Sequence, residues 1–201
     1  MASTELVFLS GKRTPFGAFG GTLKDVHPTE LGVTASRAAL VQAGIDPSQV
    51  EHVIFGNVLY SVLDSIYIPR HVGLNVGVPQ AVPSLGINRL CGTGFQVVVE
   101  AYQQMLSGDT QIALVGGVEN MSMTPYALTQ VRWGARMGHG EVKDIMSEAL
   151  IDTYAKSPMA ITAENLAQKY SLSRAECDAF ALKSQKNANE GPCFLCLICV
   201  F

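Results

Sequence analysis

Residues 84–99 read SLGINRLCGTGFQVVV, and this stretch decides the fold because a strand gives way to a helix within it. Residues 84–90 are predicted to form a short buried strand. Residues 94–107 are predicted to form a helix, since their apolar side chains recur on one helical face. Cys91 lies at the joint between the two elements, next to Gly92. The residues of the apolar face are Phe95, Val98, Val99, Tyr102 and Leu106.

The position of Cys91 suggests that its thiol is a nucleophile. A thiol at the start of a helix lies near the positive end of the helix dipole and near unpaired backbone N–H groups. Both favour the thiolate, which is the nucleophilic form of cysteine. Gly92 and Gly94 permit a tight turn and keep side chains away from a substrate, and N–H groups at the joint can bind an oxyanion. The stretch therefore predicts a nucleophile elbow with sulfur in place of oxygen. A small core cysteine beside a glycine turn explains these residues equally well.

Strands and helices alternate on both sides of this stretch. Apolar runs predict a buried strand at residues 5–10 and further strands at 53–55 and 111–115. Helices are predicted from His27 to Gly44 and within residues 66–77. Strands alternating with helices every ~30 residues predict parallel βαβ units, so we expect an α/β fold with a mostly parallel sheet and helices on both faces.

The alternation stops near residue 120. Residues 121–158 are predicted to be loop-like with one or two short helices, and residues 161–188 to be helical. Thr162 and Ser173 are candidate N-caps, and Glu176 completes a capping box with Ser173.

The last eleven residues, GPCFLCLICVF, differ in character from the rest of the chain. They are too few for a membrane span, which needs ~20 apolar residues. Cys193, Cys196 and Cys199 have a C-x2-C-x2-C spacing that admits a metal or a cluster, but no polar partners accompany them. We predict no metal site, and a non-native tail over residues 189–201.

Composition excludes several classes of protein. The formal net charge is −3 and the 14 Lys and Arg residues are scattered, so neither nucleic acid nor a membrane surface is an expected partner. Five cysteines, only one of them before residue 177, suit a reducing compartment. The apolar run at residues 6–9 lacks the charged region that opens a signal peptide. We expect the cytoplasm or the mitochondrial matrix, and no secretion.

Six motifs, in order along residues 5–187, resemble the thiolase family. Residues 88–96, NRLCGTGFQ, resemble its acyl-accepting motif. The resemblance is closest to the 3-ketoacyl-CoA thiolases (acetyl-CoA acyltransferases) of fatty-acid β-oxidation, and a ketosynthase of the same fold fits the motifs less well. The other motifs are KRTPFG at 12–17, GNVL at 56–59, GGVENMS at 116–122, Met159 with TAEN at 162–165, and SRAECD at 173–178 with SQ at 184–185.

The resemblance implies the N-terminal half of the thiolase fold. Residues 1–120 would form an incomplete α/β core that lacks its last strand, residues 121–188 an inserted loop domain, and residues 189–201 the tail. The lost strand would leave the edge of residues 111–117 unpaired, and the lost half would leave an apolar helix face exposed.

The resemblance also implies a reaction. Cys91 would attack the 3-keto carbon of a 3-ketoacyl-CoA, acetyl-CoA would leave, and free CoA would take the shortened acyl group from the sulfur. The reverse direction is a Claisen condensation. Gly92 and Met159 would bind substrate, and the N–H of Cys91 would supply part of an oxyanion hole. No cofactor is implied beyond coenzyme A as a substrate. The implied partners are acyl-CoA and CoA, with a homodimer or homotetramer as the family's assembly.

The sequence departs from the family after residue 188. The family's other catalytic groups, a His, a second Cys and an Asn, come from its second half, and no matching motif is present. Four histidines occur in unrelated contexts: His27, His52, His71 and His139. The alternative is therefore a catalytically incomplete, truncated isoform or fragment with no full turnover.

Overall fold

The computed structural model describes residues 6–190 and the short strand Cys199–Val200. The chain divides after Thr124 into two compact units; Cys199–Val200 belongs to the first, and the second begins at Pro125. The predicted division after residues 120 and 188 stays a prediction.

The elements are alternating strands and helices in the first unit and short hairpins and helices in the second. The strands are β1 Ser10–Gly11, β2 His52–Gly56, β3 Ser84–Ile87, β4 Ala113–Gly117, β5 Tyr126–Leu128, β6 Val142–Asp144, β7 Ile151–Asp152, β8 Ser157–Pro158 and β9 Cys199–Val200. The helices are α1 Pro28–Ala43, α2 Ile68–Val76, α3 Thr93–Ser107, α4 Ile145–Ala149, α5 Met159–Lys169 and α6 Arg174–Glu190.

The main sheet has the strand order β1-β9-β4-β2-β3. Its centre is parallel, because Ile54 of β2 pairs with Leu85 of β3 on one side and with Val115 of β4 on the other. Helices α2 and α3 connect these parallel strands, as βαβ crossovers require. The predicted mostly parallel α/β sheet is confirmed.

Helices cover both faces of this sheet. Successive strand residues point to opposite faces. Phe55 and Leu114 pack on one face against α1 and α2, and Ile54 and Val115 pack on the other against α3. All four side chains are fully or almost fully buried, so each face has its own apolar core.

Two glycines permit the closest contacts of the first core. A Cβ on Gly116 would lie 2.6 Å from the ring of Phe55, and a Cβ on Gly32 would lie 2.9 Å from a methyl of Val72. Glycine inside a helix is unfavourable by about 1 kcal/mol relative to alanine, so Gly32 is explained by the close approach of α1 and α2.

Helix α1 begins and ends where the sequence predicted. The Nδ1 atom of His27 accepts a hydrogen bond of 3.2 Å from the N–H of Thr29 at its start. Gly44 adopts the left-handed conformation at its end, with φ 67°, which glycine reaches without steric cost.

The first predicted strand is largely wrong. Only Ser10–Gly11 forms β-structure, and the side chains of Val7, Phe8 and Leu9 are about half exposed. β1 is an edge strand in the described part of the sheet, and its neighbour there, β9, is only two residues long, which limits the length over which β1 is paired. β3 also ends earlier than predicted, at Ile87, because residues 88–92 form a turn.

The prediction of an unpaired edge along residues 111–117 is wrong at two positions. Leu114 pairs with Val200 and Val115 with Cys199, in antiparallel register, and β9 also pairs with β1. The predicted tail therefore contributes a strand to the sheet. Cys193 and Cys196 lie outside the described residues, so the predicted absence of a metal there stays a prediction.

Up to residue 190, the second unit consists of two small antiparallel hairpins, β5–β6 and β7–β8, and the helices α4, α5 and α6. None of residues 125–190 is buried within the chain. The predicted capping box is confirmed, since Glu176 accepts from the N–H of Ser173 at 2.8 Å and Ser173 Oγ accepts from the N–H of Glu176 at 3.3 Å. The prediction of Thr162 as an N-cap is wrong, because α5 begins at Met159. Within the described residues, no helix combines the length and apolarity needed to cross a bilayer.

One face of α3 is apolar and exposed, as the sequence predicted. Phe95 is 82% exposed and Leu106 is 53% exposed, and Val99 and Tyr102 lie between them on the same face. Exposed apolar patches of this kind favour association.

We expect Leu106→Lys to weaken self-association of the chain about tenfold, since it removes an apolar contact and would bury a charge in any interface. Sedimentation velocity over a concentration series measures this. Gln103→Lys adds the same charge at another exposed position of α3 and should associate like the unmodified chain. Equal association of both variants would contradict a role for this face.

Candidate active site

Cys91 lies between β3 and α3, and its side chain is exposed. Gly92 is the N-cap residue of α3, so the thiol precedes the first helical residue, Thr93, by two positions. The structure thus brings Cys91 and Gly92 to a strand-to-helix joint. The elements on both sides are fixed by the packed sheet.

The turn before Cys91 contains an unusual backbone conformation. Leu90 has φ 49°, in the left-handed region, which costs about 1 to 2 kcal/mol for a residue with a Cβ. Three hydrogen bonds of 3.0 Å hold the turn: from the N–H of Leu90 to Asn88 Oδ1, from the N–H of Gly92 to the carbonyl of Arg89, and from the N–H of Thr93 to the carbonyl of Leu90. A strained backbone conformation of this kind persists only where surrounding contacts hold it in place.

Thr93 locks the turn to the sheet. Its hydroxyl accepts from the N–H of Arg89 at 2.8 Å and donates to the carbonyl of Leu90 at 2.7 Å, and the residue is only 6% exposed. Its methyl group lies over Gly56 so closely that a Cβ there would collide with it. Sequence reasoning missed Thr93, because the contact with Gly56 joins residues distant along the chain.

The turn leaves backbone donors available. The N–H of Cys91 has no hydrogen-bond acceptor within the part of the chain that the structure describes. The first N–H groups of a helix also lack partners inside the helix. A Cβ on Gly94 would meet open space, so a ligand can approach. The arrangement offers a nucleophile and donors for a developing oxyanion at the same place.

Glu119 lies at the same edge of the sheet, two residues beyond β4. Its Oε1 atom accepts from the side-chain amide of Asn57 at 2.8 Å, and its Oε2 atom accepts from the N–H groups of Val58 at 2.9 Å and Leu59 at 3.0 Å. Burial raises the pKa of Glu119, and these three hydrogen bonds oppose the shift. The resemblance marked the motif around Glu119 but gave it no role.

A cleft of about 940 Å³ opens beside the start of α3. Gly94 and Phe95 line it, together with residues 13–19 and 117–122, whereas Cys91 itself is not among its lining residues. Met159, the other predicted substrate-binding residue, lies in the second unit as the first residue of α5 and is 46% exposed.

The histidines do not accompany Cys91. His27 and His71 both approach the carboxylate of Asp64, at 3.0 and 3.6 Å. His52 begins β2, at the opposite end of the sheet from Cys91, and burial lowers its pKa against the influence of Gln104 and Glu100.

His139 lies in an exposed loop. No imidazole in the described ranges hydrogen-bonds to Cys91, and these ranges contain no group of three or more His, Cys, Asp or Glu residues that could hold a metal ion.

The sheet and the turn define an α/β protein with an exposed cysteine at a strand-to-helix joint. Residues 6–193 match the thiolase N-terminal domain, and the chain belongs to the thiolase family. The predicted resemblance and the N-terminal half of the thiolase fold are thereby confirmed.

Several relatives support this assignment. The chain is 47% identical to the mitochondrial 3-ketoacyl-CoA thiolases of Bos taurus and Homo sapiens, over 96% of this chain and 50% of theirs. The crystal structure of human mitochondrial 3-ketoacyl-CoA thiolase in complex with CoA matches with a TM-score of 0.87 and 47% identity, over 91% of this chain and 48% of that one. Acetyl-CoA acetyltransferase from Syntrophomonas wolfei matches with a TM-score of 0.86 and 39% identity, over 92% of this chain and 46% of that one. The chain spans about half the length of the relatives it matches.

Thr93→Val keeps the shape of the side chain but leaves the N–H of Arg89 unpaired, and the carbonyl of Leu90 keeps only the N–H of Thr93 as a donor. We expect it to lower the free energy of unfolding by about 2 to 3 kcal/mol, measured by urea denaturation. Thr93→Ser retains both hydrogen bonds and loses one methyl group, so its loss should be about 1 kcal/mol. A larger loss in Thr93→Ser would refute the locking role of the hydroxyl.

Glu119 should make stability depend on pH. Its raised pKa means that the folded chain binds this proton more tightly than the unfolded chain, so its contribution is lost as pH rises from 4.5 through the folded pKa. The unfolding free energy of the unmodified chain minus that of Glu119→Gln should fall over this range and then level off. Urea titrations at a series of pH values test this, with Thr93→Val, which retains Glu119, expected to parallel the unmodified chain. A difference that increases with pH would mean that the hydrogen bonds outweigh burial.

Proposed function

We propose that this chain supplies the nucleophile of thiolase-type acyl transfer, with Cys91 as the acyl-accepting thiol. The observation that carries the proposal is the exposed Cys91 at the start of α3, whose own N–H has no acceptor among the described residues. The thiolate attacks the 3-keto carbon of a 3-ketoacyl-CoA, and the oxygen gains negative charge. The Cα–Cβ bond breaks, its electron pair takes up a proton at the α-carbon, and acetyl-CoA leaves.

The second half-reaction restores the thiol. The sulfur of free CoA attacks the thioester on Cys91, and the shortened acyl-CoA leaves as Cys91 regains a proton. The reverse sequence is a Claisen condensation. The N–H of Cys91 would stabilise the oxyanion in both directions, a contribution worth about 10²- to 10³-fold in rate. Gly92 would keep the approach to the sulfur open, and Met159 would contact the substrate.

The relatives support the wider assignment. Their names include 3-ketoacyl-CoA thiolase and acetyl-CoA acyltransferase, and one was crystallised with CoA. We propose acyl-CoA and CoA as this chain's ligands, a place in fatty-acid β-oxidation, and the mitochondrial matrix or cytoplasm as its compartment. A homodimer or homotetramer, and a division into a core at residues 1–120, a loop domain at 121–188 and a tail at 189–201, belong to the same proposal.

A second candidate function is acyl acceptance without turnover. It is favoured by the absence of any imidazole hydrogen-bonded to Cys91 within the described residues. General acid–base help is worth about 10²- to 10⁴-fold in rate. A chain lacking it would accept an acyl group slowly and stop there.

Incubation with acetyl-CoA tests whether Cys91 accepts an acyl group, a step that both candidate functions include. We expect one acetyl group on the peptide containing Cys91, with release of an equal amount of CoA, and none on Cys91→Ala. The exposed Cys177 on α6 is an internal reference for adventitious acetylation. No acetyl group on Cys91, or equal labelling of Cys177, would refute the nucleophile.

Turnover then separates the two candidates. The chain is supplied with a 3-ketoacyl-CoA and free CoA, and acetyl-CoA is quantified over time. Continued formation indicates full thiolysis, whereas a single equivalent per chain indicates an acceptor that does not complete the cycle.

A further inference from the structure

The carboxyl ends of three adjacent strands meet beside Cys91. β4, β2 and β3 are neighbours in this order and run parallel, so the residues just beyond their ends lie along one edge. Glu119 comes after β4, Asn57 after β2, and Asn88 after β3. Hydrogen bonds connect the three positions in sequence.

The first connection joins β4 to β2. The carboxylate of Glu119 accepts from Asn57, Val58 and Leu59 at 2.8, 2.9 and 3.0 Å. The same amide nitrogen of Asn57 also donates to the carbonyl of Val118 at 3.0 Å. One carboxylate therefore contacts all three residues of the 57–59 loop.

The second connection joins β2 to β3. The carbonyl of Val58 accepts from the side-chain amide of Asn88 at 3.0 Å. The N–H of Asn57 donates to the carbonyl of Ile87 at 3.3 Å. Fixing Val58 thus fixes the orientation of the Asn88 side chain.

The third connection reaches the turn. The other end of the Asn88 side chain, Oδ1, accepts from the N–H of Leu90 at 3.0 Å. Leu90 has φ 49° and directly precedes Cys91. Both ends of the Asn88 amide are used, so it links a residue held by Glu119 to the strained residue before the thiol.

We infer that Glu119 and Asn88 are positioning residues for Cys91, acting as one hydrogen-bonded relay through the 57–59 loop that holds Leu90 in the left-handed conformation. The inference rests on the proposed function for the use of the thiol. The relay itself concerns where the thiol is held.

Two substitutions interrupt the relay at different points. In Glu119→Gln, one acceptor oxygen becomes an NH2 group, which cannot accept. Turned toward Asn57 it opposes that amide donor, and turned toward Val58 and Leu59 it opposes both N–H donors, so the 57–59 loop loses its hold on one side or the other. In Asn88→Ser, the hydroxyl can still accept from the N–H of Leu90, as Ser does in turns, but it is too short to reach the carbonyl of Val58. Neither substitution changes Cys91 or the residues adjacent to it.

The readout is alkylation by iodoacetamide, resolved by peptide mass spectrometry in the 201-residue chain. The rate at Cys91 is divided by the rate at Cys177, which is exposed on α6 and belongs to the second unit. We expect each single variant to lower this ratio about threefold or more, and the double variant to lower it no further, because both interrupt one relay.

A matched control separates positioning from general loss of stability. Val72→Ala removes a fully buried methyl pair of α2 in the core against α1, and should lower the melting temperature while leaving the ratio unchanged. Additive effects of Glu119→Gln and Asn88→Ser, unchanged ratios in both, or an equal drop in Val72→Ala would overturn the inference.

The outcomes also separate this inference from the proposed function. Alkylation reports the reactivity of the Cys91 thiol and involves no acyl chemistry. If the alkylation ratios of the two variants are non-additive but Cys91 takes no acetyl group, acyl transfer is refuted and the relay is supported. If Cys91 is acetylated but the alkylation ratios are additive, acyl acceptance is supported and the relay is refuted.

Discussion

The contact between Thr93 and Gly56 is the constraint on which the candidate site depends. Because Gly56 has no side chain, the first residue of α3 lies directly on the end of β2. The Thr93 hydroxyl then closes the turn from Arg89 to Leu90. A bulkier residue at position 56 would lift the helix start from the sheet, and the exposed thiol of Cys91 would lose its fixed place.

The rest of the first unit supports that contact. The central parallel strands are packed on one face by α1 and α2 and on the other by α3, so α3 is fixed along its inner side. Its outer side is apolar and exposed, and the chain spans about half the length of its thiolase relatives. The turn that carries Cys91 is thus held by the packed first unit, while α3 keeps an exposed apolar face.

Local patterns predicted the elements that local physics controls. The apolar period of residues 94–107 indicated α3, Gly44 marked the end of α1, and Ser173 with Glu176 indicated a capping box. Predictions failed where pairing between distant residues decides. The early apolar run contributes only a two-residue strand, and β9 pairs with an edge that was expected to be unpaired. Both outcomes are set by pairing between residues far apart along the chain, which local sequence patterns do not encode.

The sequence by itself determined the family, the parallel α/β core and the position of Cys91 between a strand and a helix, because these depend on short-range order and ordered motifs. Only the tertiary structure decided how that cysteine is held. Glu119, Asn57 and Asn88 are distant from one another along the chain, yet they meet because parallel strands end at a common edge. Hydrogen bonds made across such an edge leave no periodic trace in the sequence, so the residues that fix the turn could not be recognised before the strand order was known.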